Sequence, residues 1–261
     1  MLLEDKHAVV YGAGGSVGAA VARSFAREGA NVFLAGRTQA KWERVEQDIT
    51  EAGGRAESST VDALDERSVE EHIDAIMGKA GRLDISFNAT SHGDVHGVAL
   101  IDMNLDDFVQ PTTNALRAQF LTARAAARHM VRQGSGVILA ITATTARLSI
   151  PQVGGTGVTF DAIESLCRQW ACELGRRGVR VAWLQTTGLP EGLHADVFPG
   201  YGTGGPMTRE QLVAWMERET MLGRLTSLEE VGAAAAFLAS DHAGAITGSG
   251  ANLTCGAVPG R

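Results

Sequence analysis

Gly12, Gly14, Gly15 and Gly18 stand between an apolar run ending at Tyr11 and a helical pattern that follows. Glycines at that spacing let a backbone turn tightly and approach a phosphate. The helix behind them directs its free N–H groups and partial positive charge at the anion. The turn follows a strand, opens a helix and begins a β–α–β unit, which is the context of a nucleotide pyrophosphate site rather than of an ordinary strand–helix turn. Ser16 and Val17 complete the candidate cradle. The next apolar run ends Leu34-Ala35-Gly36-Arg37-Thr38. A site that selects NAD places a carboxylate here for the ribose 2′-hydroxyl. This chain has Gly36 and then Arg37, whose guanidinium can pair with a 2′-phosphate in a bidentate way. NADP(H) is therefore expected over NAD(H). Asp62 can accept from an adenine amino group or simply cap the next helix. His92, Asp94 and His96 share one short loop, and a histidine titrates near neutrality, as proton transfer requires.

Such residues need a scaffold that gathers strand ends. Strand-like runs at 7–11, 31–35, 55–61, 83–88, 136–142, 180–185 and 250–254 alternate with helical patterns at 39–52, 65–81, 108–133 and 161–175. Several runs are short and almost continuously apolar, as strands covered on both faces are. The alternation predicts an α/β fold: one doubly wound domain over 1–261, with a parallel seven-stranded sheet and right-handed crossovers. Ligands in such sheets bind at the carboxyl ends of the strands. Residues 187–206 are dense in Gly and Pro and precede a helix at 208–221, so 187–222 reads as a lid-like substrate segment. A net charge of −7 over 261 residues argues against nucleic acid and anionic membranes as partners. No apolar run is long enough to span a bilayer. Met1 to Lys6 lacks the basic start of a secretory signal. Three cysteines without a CxxC pair suggest neither a disulfide framework nor a metal site, and fit a reducing cytoplasm.

Further motifs carry a resemblance. The Tyr11-to-Gly18 segment matches TGxxxGxG, with Tyr11 for Thr and Ser16 for the middle Gly. Val61-Asp62-Ala63-Leu64-Asp65 follows the third strand, and Asn88-Ala89-Thr90 is similar to NAG. Asn114 falls in a long helix, and Phe237-Leu238-Ala239-Ser240-Asp241 precedes Ile246-Thr247-Gly248. Over essentially its whole length the chain resembles a single-domain short-chain dehydrogenase/reductase. The resemblance implies a Rossmann fold, a nicotinamide dinucleotide held by the turn, Asn88 and Ala89, a homodimer or homotetramer, and a catalytic Asn, Ser, Tyr and Lys. In that tetrad a tyrosine hydroxyl tuned by the lysine protonates the substrate oxygen.

Only Asn114 of the four is retained. Ala143 stands at the Ser position, with Thr142, Thr144 and Thr145 around it. Counting back from Ala171-Cys172-Glu173-Leu174 gives Phe160 for Lys and Thr156 for Tyr. The only lysines are Lys6, Lys41 and Lys79, and the only tyrosines Tyr11 and Tyr201. Three readings stay open. The first is an NADP(H)-dependent oxidoreductase acting on a small molecule with an activated C=C, C=N or C=O bond. In it Thr156 or Thr144 offers a hydroxyl, and His92, Asp94 or His96 a proton. The second is a scaffold turned to redox-neutral isomerisation or elimination, and the third a catalytically silent dinucleotide-binding protein.

Overall fold

Seven strands pair in parallel in the order β3-β2-β1-β4-β5-β6-β7 in the computed structural model, which describes residues 1–192 and 207–259. They are β1 His7–Tyr11, β2 Asn31–Gly36, β3 Arg55–Thr60, β4 Ile85–Asn88, β5 Gly136–Ala143, β6 Val179–Thr186 and β7 Gly250–Leu253. The helices are α1 Ser16–Arg27, α2 Gln39–Glu51, α3 Glu66–Ala80, α4 Leu105–Gln133, α5 Thr156–Leu174, α6 Arg209–Arg218 and α7 Leu228–Ala239. This is the doubly wound Rossmann arrangement, with β1 next to both β2 and β4. Chain order reverses there, so a crevice opens outside the carboxyl ends of β1 and β4. Registers align it: Tyr11 pairs with Ala35 and with Asn88. Gly12, Gly36 and Ala89 therefore leave the sheet side by side.

Two apolar cores cover the sheet. One joins Val10, Leu34, Phe87 and Leu139 to Ala22 and Phe25 of α1 and to Val231 and Leu238 of α7. The other joins Val9, Ile138 and Val181 to Ile73 of α3, Ala126 of α4 and Ile163 of α5. Side chains of this size each contribute about 1.5–3 kcal/mol when fully buried. A smaller cluster of Val153, Leu212, Met216 and Leu225 seats α6. Arg180 of β6 donates to the carbonyls of Ile246, Leu238 and Ser240, which ties the chain before β7 to the sheet.

Most element boundaries fall within one residue of the sequence reading, and four depart by more, one of them the end of α6 at Arg218 rather than 221. β4 starts at Ile85 rather than 83, because the Asp84 carboxylate takes the His7 N–H and the Arg82 guanidinium just before it. α4 starts at Leu105 rather than 108, behind Asn104. α5 starts at Thr156 rather than 161. Its early start follows a turn in which Gly154 adopts φ +57, and a Cβ there would lie 2.6 Å from the Val95 carbonyl oxygen. The Gly-Gly pair that reads as a helix breaker is instead the entry to the helix. Of the lid-like segment, residues 193–206, with His194 and Tyr201, lie outside the described residues. Leu189 packs on the first core, and Met207 on the α6 cluster. Among the described residues no helix is long and apolar enough to cross a membrane.

One buried carboxylate locks α5 to β5. Glu164, fully buried, accepts from the Thr142 hydroxyl (3.2 Å) and pairs with Arg147. Burial raises its carboxyl above the ordinary value near 4.5, with Arg147, Thr142 and Arg168 opposing. The folded chain thus holds this proton more tightly than the unfolded one. The stability that Glu164 contributes is complete below pH 4.5 and is lost as the pH rises through the raised value. Glu164→Gln should remove that loss, so the mutant should gain in stability on the wild type as the pH rises above 4.5 in urea unfolding. Curves that stay parallel across this range would contradict it.

Candidate active site

The turn after β1 is shaped by contacts that exclude side chains. Gly12 has φ +74, and a Cβ on it would come 2.5 Å from the Ala89 carbonyl oxygen at the end of β4. Gly15 caps α1 with no side-chain hydrogen bond, and the first turn of α1 carries no acid. The N–H groups at this helix start are thus left to an anion. Gly12, Gly14, Gly15, Arg37, Asp62 and Ala89 all line one cleft of about 240 Å³. Ser16 is exposed at the helix start, Gly18 is buried in the first turn, and Val17 packs partly on the core. The three flank the cleft rather than line it.

At the far end of the cleft Arg37 is exposed and has no ion-pair partner among the described residues. Lys41, in the first turn of α2, faces the same cleft and is likewise unpaired among them. Its β-carbon lies 2.7 Å from where a Cβ on Gly14 would sit. Sequence reading missed Lys41; its signal is a second cation one helical turn after Arg37. A Cβ at position 36 would lie 3.3 Å from the Trp42 ring, whose N–H already holds the Gly36 carbonyl, so a carboxylate there would require that ring to shift.

Two expected cofactor contacts have other duties. The Asp62 carboxylate lines the cleft but accepts from the Leu64 N–H at 3.0 Å, a local turn bond. Asn88 is buried and spends its side chain on Thr122 and Thr90. It pins the end of β4 to α4 and does not line the cleft. Tyr11 is also buried, edge-on to His72, and burial pushes its hydroxyl pKa upward. It cannot act as an acid near neutral pH.

A second group of candidate residues meets at the start of α5. Thr156 is 7% exposed, in the first turn of a 19-residue helix that has no acid in its own first turn. Its Oγ1 lies 2.8 Å from His96 Nε2 and donates to Asp94 Oδ1 at 3.4 Å. The Gly154 turn makes this possible, because it lets Val95, between those two residues, come against the entry of α5. Thus two of the three loop candidates converge on the residue at the Tyr position. The third does not. His92 is 8% exposed and packs edge-to-face on Phe160 at 5.9 Å. Burial lowers its pKa, partly offset by Asp94, so the ring is neutral at pH 7. Phe160 thus sets an apolar ring against His92.

Asn114 donates to the His92 carbonyl at 3.1 Å and accepts from Gln110, so it holds the loop. Of the threonines around Ala143, Thr142 is committed to Glu164. The Thr145 hydroxyl is buried without a partner. Thr144 is buried, and its hydroxyl makes no hydrogen bond among the described residues, while its carbonyl accepts from Arg147 and Leu148.

Known proteins share this plan. The family model described as "Enoyl-(Acyl carrier protein) reductase" matches residues 12–257. The uncharacterized oxidoreductase YxbG of Bacillus subtilis is 32% identical over 94% of this chain and 88% of its own length. Gluconate 5-dehydrogenase of Gluconobacter oxydans is 28% identical over 94% of this chain and 92% of its own. The crystal structure of a gluconate 5-dehydrogenase from Burkholderia cenocepacia, in complex with NADP and tartrate, superposes with a TM-score of 0.85. It is 24% identical and covers 97% of this chain and 95% of its own. With its turn, sheet order and family match in agreement, the chain belongs to the short-chain dehydrogenase/reductase family of oxidoreductases.

Proposed function

We propose that the protein is an NADP(H)-dependent oxidoreductase of small molecules, acting on an activated C=C, C=N or C=O bond. The observation that carries the cofactor choice is the pair Arg37 and Lys41, two cations without ion-pair partners among the described residues, on one cleft with the glycine turn. A 2′-phosphate would satisfy both. The Gly12 cradle and the uncapped start of α1 fit the pyrophosphate, since a side chain at Gly12 would fill the space next to Ala89. The Burkholderia relative whose structure contains NADP supports the same reading. When bound, such a cofactor supplies the hydride; the chain's part is to orient it, exclude water and manage charge.

Phe160 and the neutral His92 give the reaction site an apolar wall. Neither can tune an acid as a lysine does. Substrates whose reduced form is a stabilised anion, or that arrive already cationic, need less help from such an acid. Thr156 and Thr144 are the hydroxyls available to a developing oxyanion, and the amino end of α5 favours negative charge beside Thr156. Residues 1–261 are read as one domain working in a reducing cytoplasm.

Arg37→Ala should raise the Kd for NADPH about tenfold or more, the loss of one charge-assisted contact, and leave that for NADH within about twofold. Quenching of tryptophan fluorescence on titration measures both. Equal weakening of the two cofactors would remove the 2′-phosphate assignment. Failure of the wild type to bind either would remove the oxidoreductase reading.

The same reading includes a homodimer or homotetramer. Exposed Phe120 of α4 stacks on Trp170 of α5 at 5.7 Å, under the Arg124 guanidinium. This offers an apolar surface across the two helices, although Ile163 and Leu174 of α5 are spent on the chain's own core. Light scattering on the eluting species should give a multiple of 27.4 kDa; a monomer throughout would contradict the assembly.

A further inference from the structure

We propose that Thr156, His96 and Asp94 form a proton relay that takes the place of the missing tyrosine and lysine, with Thr156 as the group that touches the substrate oxygen. This rests on the oxidoreductase reading above. A hydroxyl has one proton to give. Thr156 gives it to Asp94 Oδ1, and an ionised carboxylate can only accept. Its 2.8 Å contact with His96 Nε2 must then run the other way, from a ring N–H to the threonine oxygen. The resting order is therefore imidazole N–H to hydroxyl to carboxylate. The trio is held by backbone: a side chain at Gly154 would strike the Val95 carbonyl, and the Gly97 N–H donates to the Gln152 carbonyl at 2.8 Å. Two turns of chain are thereby clamped face to face.

The chemistry balances. The reduced dinucleotide, when bound, would supply the hydride and its electron pair to the substrate carbon and would leave oxidised. The C=O or C=N π pair moves to the heteroatom. The Thr156 O–H swings from Asp94 to that atom and breaks, and the threonine oxygen takes the proton from His96 Nε2. For the step to balance the ring takes up a second proton from solvent at Nδ1 beforehand, gives up the Nε2 proton and is left neutral, and solvent exchange returns it to its resting form. Thr156 is the catalytic residue in this scheme. His96 and Asp94 act through it, the first as the proton source and the second by holding the hydroxyl in line. The amino end of α5 favours the transient negative charge. His92 takes no part, being neutral and turned to Phe160.

The test has one readout on the resting protein and one on turnover. Histidine-ring nitrogen NMR, with the His96 signals assigned by their loss in His96→Gln, should show Nε2 protonated and hydrogen-bonded in the wild type. Thr156→Val should abolish that bond and move the signals. Unchanged His96 signals in Thr156→Val would overturn the relay. Over a panel of ketones, enones and imines, NADPH consumption should fall about 100-fold or more in kcat for Thr156→Val and for His96→Gln. Thr156→Ser should hold the loss within about tenfold, and the Kd for NADPH should stay unchanged throughout. Wild-type kcat in His96→Gln, or in Thr156→Val, would also overturn the relay while leaving the oxidoreductase reading intact. A wild type that binds NADPH but consumes none would count against the oxidoreductase reading, with the ring spectra still deciding the hydrogen-bond order.

Discussion

Everything at the site depends on how closely two backbones approach at the sheet's switch point. Gly12 leaves β1 so near the Ala89 carbonyl that no side chain fits between them. The parallel registers of β1 with β2 and β4 put the third participant, Gly36, in the same row. From this one crowded row the chain opens outward: Arg37 and Lys41 on one side, and the loop holding Asp94 and His96 on the other. The two apolar cores fix the spacing, since close-packed interiors leave little freedom for strands to slide.

A second close approach governs the reactive end. The Gly154 turn brings the segment after β4 against the entry of α5 and sets an imidazole and a carboxylate on Thr156. The family's usual answer is a phenol lowered in pKa by an ammonium. Here a less acidic hydroxyl has partners on both sides and a helix start beneath it, while Phe160 and His92 close the wall with apolar surface. In the proposed relay, proton delivery rests on the geometry of three groups rather than on the tuning of one acid.

Much of this was legible in the sequence. β1 runs from 7 to 11 as read, and the glycine turn and the seven-stranded parallel sheet follow from residue type and spacing. What was not legible has physical causes. α5 starts five residues before the position read from sequence, because the turn that opens it is set by contacts from distant segments, the Val95 carbonyl at Gly154 and the Phe108 carbonyl at Gly155. His92, Asp94 and His96 are equivalent in sequence; only the fold turns one ring into Phe160 and the other onto Thr156. Asn88 looked like a cofactor contact, but burial commits its side chain to Thr122 and Thr90. Lys41 stands one helical turn after Arg37, a spacing that gains meaning only when α2 folds it over Gly14.

The most direct measurement is a crystal structure of the protein soaked with NADPH. The account predicts the 2′-phosphate between Arg37 and Lys41, the pyrophosphate on the turn at Gly12 to Gly18, and the Thr156 hydroxyl beside the nicotinamide with His96 still bonded behind it. A tyrosine hydroxyl seated at the nicotinamide, or a dinucleotide whose 2′ end meets neither cation, would contradict it.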